Sequence, residues 1–257
     1  MKKLLYTVML ALAVWEGASA QSPERELGAL AATRSNLLNI ATALQMYAAD
    51  HGQYPDSLAP LEVNYLRQIP PQLNGSLQWN YKVESDGFRL NESWEGFTRL
   101  GLPAQIVYHS RTGLETLKLP SELMVLAPTM DLEGSWLRKS TSPGLSLSWE
   151  RFDQKISARV LGPSSLEESF VQQKQRTAAD YLRWGWSSDD GEFAQAVPAA
   201  LKPGWSLEGI YTVASQPGTK AILVSRGERL LEVMVQDRDS RDALGSLRAV
   251  RSLLAQL

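Results

Sequence analysis

Two tryptophans separated by a single glycine, Trp184-Gly185-Trp186, stand just upstream of two adjacent carboxylates, Asp189 and Asp190, in a stretch rich in serine and glycine. Exposed indoles combine an apolar face with a polar edge, which suits stacking on a sugar ring or a peptide. Carboxylates can carry out glycosidase chemistry, but only where a fold holds two of them about 5–10 Å apart in a cleft. The ordinary alternatives are structural: indoles fill core space beneath loops, and loop carboxylates are solvated. Trp184, Trp186, Asp189 and Asp190 are therefore read as contact residues for a ligand or partner, and no residue is assigned a catalytic role.

The remaining reactive side chains point away from chemistry. His51 and His109 are the only histidines, and a zinc site needs three or four ligands. His51 falls at a predicted helix end, where the dipole favours it without any ligand. Asp237, Asp239 and Asp242 resemble the start of a calcium loop, but Arg238 and Arg241 are interleaved and the loop glycine and twelfth-position glutamate are missing. Asp239 or Ser240 is better read as a helix N-cap. Glu167 and Glu168 lie in a predicted first helical turn. The chain has no cysteine, which removes thiol catalysis and thiolate metal sites. Neither a Gly-x-Ser-x-Gly elbow nor a phosphate-binding or dinucleotide motif is present. No metal or cofactor is expected.

The elements that would carry these residues can be read from periodicity. Leu27, Leu30, Leu37, Leu38, Ala41, Leu44 and Ala48 recur near 3.6 residues, predicting one amphipathic helix over 23–51 stopped by Gly52. Strand-like runs follow at 77–83 and 88–91, joined through Asp86-Gly87, a turn pair. Glycines and prolines punctuate residues 94–120 around apolar runs at 104–108 and 114–119. Beyond them, 145–149 and 156–161 alternate as a hairpin, and Ser165 with Glu168 forms a capping box for a helix over 165–183. That helix should bury Phe170, Val171, Lys174, Ala178, Tyr181 and Leu182. A weaker helical piece ends at Pro198, strands are predicted at 207–214, 220–225 and 229–235, and a closing helix runs from Ser240. The fold class is α+β: a long helix on a small antiparallel sheet, then a second antiparallel sheet with flanking helices. The layout is 1–20 leader, 21–119 first unit and 120–257 second unit.

One stretch resembles a known family. The helix ending Leu44-Gln45-Met46-Tyr47-Ala48-Ala49-Asp50-His51-Gly52-Gln53-Tyr54-Pro55, followed by Tyr65-Leu66, Ile69-Pro70 and Trp79-Asn80-Tyr81, resembles the headpiece of type IV pilins and type II secretion pseudopilins over residues 25–92. The resemblance implies a helix packed on a β-meander and a setting in the bacterial envelope. It omits the hydrophobic anchor helix of that family, since Glu24, Arg25 and Glu26 open the helix here. The element order of residues 121–257 faintly resembles the PsbP-like fold.

The N-terminus supplies the compartment. Lys2 and Lys3, the apolar run from Leu4 to Val14 and Ala18-Ser19-Ala20 compose a secretory leader cleaved after Ala20. The apolar run is short of the ~20 residues that span a bilayer. Of 257 residues, 44% are hydrophobic and 21% charged, enough to form a core. Without Lys2, Lys3 and Glu16 the 26 basic residues become 24 and the 28 acidic 27, net −3, which gives no electrostatic case for nucleic acid. The protein is expected outside the cytoplasm, periplasmic or extracellular, not inserted in the membrane after cleavage, and monomeric or a small oligomer with envelope or secretion-system proteins as partners. Two functions remain open: a non-enzymatic binding or scaffold protein, or a hydrolase or carbohydrate-binding protein using loop carboxylates and the tryptophans.

Overall fold

Helix α1 (Pro23–His51) is the spine of the molecule. The structure, a computed structural model, describes residues 23–127, 129–139, 144–237 and 243–257. The leader and the Asp239, Ser240 and Asp242 cap therefore lie outside the described residues. Gly52 ends α1 at φ +76°, with its N–H bonded to the Ala48 carbonyl at 2.8 Å. The short α2 (Leu61–Asn64) follows, and Tyr65 reaches back to donate to Asp50 at 2.7 Å. That bond, helped by partial burial, pushes the phenol up to about 12.

The first sheet is antiparallel in the order β1 (Asn80–Glu84), β2 (Gly87–Ser93), β3 (Gln105–His109) and β4 (Gly113–Leu114). The predicted strand at 77–83 starts three residues later, and of 114–119 only Leu114 is in a strand. Between β2 and β3 sits α3 (Gly96–Arg99). Phe88, Leu90 and Ile106 of this sheet are buried in one core with Leu37, Ile40 and Leu44 of α1.

The second sheet has seven antiparallel strands. Their order is β5 (Leu137–Arg138), β6 (Ser146–Arg151), β7 (Gln154–Leu161), β11 (Arg229–Asp237), β10 (Gln216–Arg226), β9 (Ser206–Val213) and β8 (Ser187–Ser188). Its residues alternate between two faces. Trp149, Ile156, Ala158, Leu231, Val233 and Ile222 face the main core, together with Val250 and Leu254 of α6 (Ala243–Leu254). On the opposite face Tyr211, Ala221, Leu223 and Leu230 form a smaller cluster beneath α4 (Phe170–Arg183). The weak helix predicted before Pro198 is α5 (Glu192–Ala196).

Two expectations need correction. Helix α4 begins at Phe170, capped by Ser169 and Gln172 rather than Ser165 and Glu168. Glu168 instead accepts from Arg176 Nε at 2.8 Å and the Ser164 N–H at 2.5 Å. The helix buries Gln173, Thr177 and Tyr181, while Val171 and Leu182 are exposed. Helix α1 is also not amphipathic along its whole length. Glu26 to Ala31 are buried in succession, and Leu38, read as part of the buried stripe, is 43% exposed.

The cause of that continuous burial is that α1 touches both sheets, packing on β2 and β3 of the first and on β7 and β11 of the second. A single buried hydrophobic cluster accordingly runs from Leu27 to Leu254. Ion pairs at the start of α1 point both ways. Glu26, 2% exposed, meets Arg99 at 2.8 Å, and Glu24 meets Arg229 at 3.4 Å. Gly162, just after β7, lies so near α1 that a Cβ there would sit 2.1 Å from the Gly28 carbonyl oxygen.

One buried carboxyl has no cation among its hydrogen-bond partners. Glu92 accepts from Thr33 Oγ1 at 2.7 Å and from the Leu73 N–H at 2.5 Å. Burial pushes this carboxyl up, and the two hydrogen bonds only partly offset the rise. A carboxyl raised in the folded state stabilises the fold while protonated. Its contribution is full below the unfolded value, near 4.5, and is lost as pH rises through the raised folded value. Glu92→Gln, neutral at every pH, can accept from Leu73 and donate to Thr33, so it should remove that part of the pH slope. Denaturant melts from pH 4.5 to 8 check this, and an unaltered slope in the variant would contradict it.

Candidate functional site

Pairing register builds the site before any loop does. Arg159 on β7 stands directly opposite Glu232 on β11, and both point to the sheet face that α4 covers. The Arg159 guanidinium grips the Glu232 carboxylate with two bonds, Nε at 2.5 Å and Nη2 at 3.1 Å. Tyr181 comes down from α4 and donates its hydroxyl to the same carboxylate. Burial raises the Tyr181 phenol and the neighbouring Glu232 charge raises it further, so it keeps its proton at neutral pH. Burial opposes the charge on Arg159, but the Glu232 carboxylate outweighs burial and holds the guanidinium above its usual value.

Aromatic packing fixes this trio. The Tyr181 ring stacks on Tyr211 at 4.8 Å and 9°, and meets the edges of Trp186 at 5.2 Å and Trp184 at 5.9 Å. Room for Tyr211 comes from Gly209, two residues earlier on the same strand face. A Cβ at that position would lie 2.8 Å from the Tyr211 hydroxyl and 2.9 Å from its ring.

Above the trio opens a groove of about 420 Å³. One wall is α1, through Ala32, Arg34 and Leu38. The other is α4, through Arg176 and Asp180, with Trp184 capping its C-terminus, and the floor is Arg159 and Glu232. Glu232 is 4% exposed, whereas the Arg159 side chain is 52% exposed. The floor thus presents a cation whose counterion is sunk beneath it. Burial pulls the Arg34 guanidinium below its usual value. Arg176 lies between Glu168 and Asp180, at 2.8 and 3.5 Å. An anionic group can reach the outer edge of Arg159 here, with Trp184 (61% exposed) and Leu38 as apolar surface beside it.

Of the four contact residues singled out by the sequence, the structure brings Trp184 to this groove. Trp186 is half-buried against Tyr181. Asp189 is engaged elsewhere, bonded to Lys220 at 2.6 Å and accepting the Gly191 N–H at 3.1 Å. Asp190 is exposed and lies outside the groove lining. His51 stacks on Tyr47 at 4.1 Å at the end of α1, and His109 closes β3. Asp237 accepts from Gln154 at 3.0 Å. Among the described residues no group of three or more histidines and carboxylates is placed to hold a metal, and no helix is long and apolar enough to cross a membrane.

Sequence reasoning missed Arg159 and Glu232 altogether. A signal existed: Glu232 sits in mid-strand among Leu230, Leu231 and Val233, where an unpartnered carboxylate would be costly. Comparison with protein-family models, curated proteins and solved structures found no match to this chain.

Proposed function

We propose that this protein is a non-enzymatic recognition protein working outside the cytoplasm, and that the groove between α1 and α4 is where it takes its ligand. The supporting observation is the half-exposed Arg159 guanidinium held over a buried counterion, with an exposed indole beside it. Such an arrangement suits a carboxylate-bearing ligand whose ring or apolar face lies on Trp184. The groove carboxylates already serve guanidinium groups, which favours binding over hydrolysis. The pilin-like unit acts as a scaffold in this reading. Much of the N-terminal half of α1 is enclosed by the chain's own sheets, so that part is not available as a filament core.

The experiment is calorimetric titration with acidic oligosaccharides and with peptides ending in a free carboxylate. Trp184→Ala and Arg159→Gln should each weaken binding at least about tenfold, the loss of one stacking or charge-assisted contact. Trp184→Ala should cost less than about 1 kcal/mol of stability, because the side chain is largely exposed. Binding indifferent to both substitutions, or turnover of a bound oligosaccharide, would overturn the proposal.

A further inference from the structure

The groove between α1 and α4 holds more than one cation and one ring, and its remaining groups narrow the class of ligand. Glu232 takes the Nε–H and one N–H of Nη2 from Arg159. A guanidinium has five N–H donors, so the three left over lie along its outer Nη1–Nη2 edge. That edge matches the two oxygens of a planar carboxylate.

Beside this edge stand acceptors with little to accept. Asp180 lies one helical turn before Trp184, whose N–H bonds to the Asp180 carbonyl at 3.0 Å, so the two side chains share one side of α4. The Asp180 carboxylate is 21% exposed and faces Arg176 at 3.5 Å and Arg183 at 3.6 Å, beyond normal hydrogen-bond length. On the opposite wall Asn36 of α1 gives its Nδ2 to the Pro71 carbonyl at 3.2 Å. Its Oδ1 is left as an acceptor without a donor among the described residues. Asp180 and Asn36 line the same groove as Arg159 and Trp184.

These two side chains call for hydrogen-bond donors, whereas Arg159 calls for an acid. A carboxylate beside an open cation penalises a bare anion and favours a molecule that presents acid and hydroxyls together. The apolar surface is equally selective. Trp184 is 61% exposed and Leu38 43%, so they offer an open face rather than an enclosed pocket. The side chain of a peptide's last residue needs a pocket to leave water. The carbon-bound face of a pyranose ring needs only a flat indole.

We infer that the ligand of this groove is a glycan carrying a uronic acid. Its carboxylate sits on the outer edge of Arg159, its ring lies on Trp184, and its hydroxyls donate to Asp180 and Asn36. The groove's 420 Å³ is that of a small-ligand site, so it holds a short segment of such a glycan. This inference rests on the groove being the ligand site.

The test is calorimetry with short oligomers of galacturonate, glucuronate and mannuronate, with their methyl esters, and with peptides ending in a free carboxylate. At least one uronate should bind wild type at least about tenfold more tightly than its ester, the margin of one charge-assisted pair. Arg159→Gln should abolish that margin. Asp180→Asn should weaken acid and ester alike, by about five- to tenfold, because a charged acceptor becomes a neutral one. For a ligand held by its carboxylate alone the sign reverses, since removing the Asp180 charge strengthens its binding. A thermal midpoint of Asp180→Asn within about 3 °C of wild type shows that the fold is kept, and the comparison of acid with ester needs no variant. Equal binding of acid and ester, or tighter uronate binding by Asp180→Asn, would overturn the inference. Peptide binding that depends on Arg159 and Trp184, with no uronate bound, would also overturn it and leave the groove as the ligand site. Binding of neither class would overturn both.

Discussion

Gly162→Ala should destabilise this protein by about 3 kcal/mol or more, lowering its thermal midpoint by about 6–12 °C. A Cβ at this position would lie 2.1 Å from the Gly28 carbonyl oxygen, 2.5 Å from the Ala32 Cβ and 2.9 Å from the Ala32 nitrogen. Two of those atoms are α1 backbone, so no side-chain rotation relieves the clash and the helix must move. Helix α1 cannot move cheaply, because Leu27, Leu30, Leu37 and Leu44 are fully buried along it. The reverse substitution across the same contact should behave oppositely. A Cβ at Gly28 would meet Pro163 Cδ at 3.4 Å and the Leu161 oxygen at 3.5 Å, ordinary contacts. Gly28→Ala then gains helix propensity of up to about 1 kcal/mol and should be neutral or stabilising. Thermal melts of the two variants decide the matter. Equal midpoints would mean that α1 is not seated on the second sheet as described, and the groove would lose one wall.

That contact also marks where sequence reading stops. The length of α1 was legible because leucines recur at helical spacing and Gly52, followed by Tyr54-Pro55, supplies a stop that needs no Cβ. The hairpins were legible because Asp86-Gly87 and the alternation around Phe152 are local signals. The start of α4 was not. Ser165-Leu166-Glu167-Glu168 and Ser169-Phe170-Val171-Gln172 both fit a capping box, so local chemistry left the choice open. Arg176, eight residues on, claims Glu168 and thereby favours the second box. The enclosure of α1 was equally hidden. Its buried small residues, Gly28, Ala29 and Ala31, carry no leucine-like stripe that would announce a second sheet laid against them. The groove floor is harder still, because Arg159 and Glu232 are 73 positions apart and meet only through strand register. Trp184 was visible from its composition and its place beside a glycine, whereas the partners that give it a use were not.

Glu232→Ala should cost about 2–3 kcal/mol. The carboxylate has three donors, two from Arg159 and one from Tyr181. Removing it leaves the Tyr181 hydroxyl without an acceptor in a side chain only 3% exposed, and leaves a guanidinium without its counterion. Breaking a fully buried pair costs about 3–5 kcal/mol. Arg159 is half-exposed and can recover water, so the lower figure applies. Tyr181→Phe removes one donor and leaves the ion pair intact, and should cost only about 1 kcal/mol. Combining Glu232→Ala with Arg159→Met should restore part of the loss, since an apolar side chain leaves no charge to desolvate. Wild type, Glu232→Ala, Arg159→Met and the double variant form a cycle readable in urea at neutral pH. If Glu232→Ala costs no more than Tyr181→Phe, the pair is a solvated surface contact, and Arg159 is not held in place for a ligand. If the predicted order holds, the same variant supplies the sharper functional check. Arg159 keeps its charge in Glu232→Ala but loses its orientation, so an anionic ligand should bind more weakly even though the groove has become more positive.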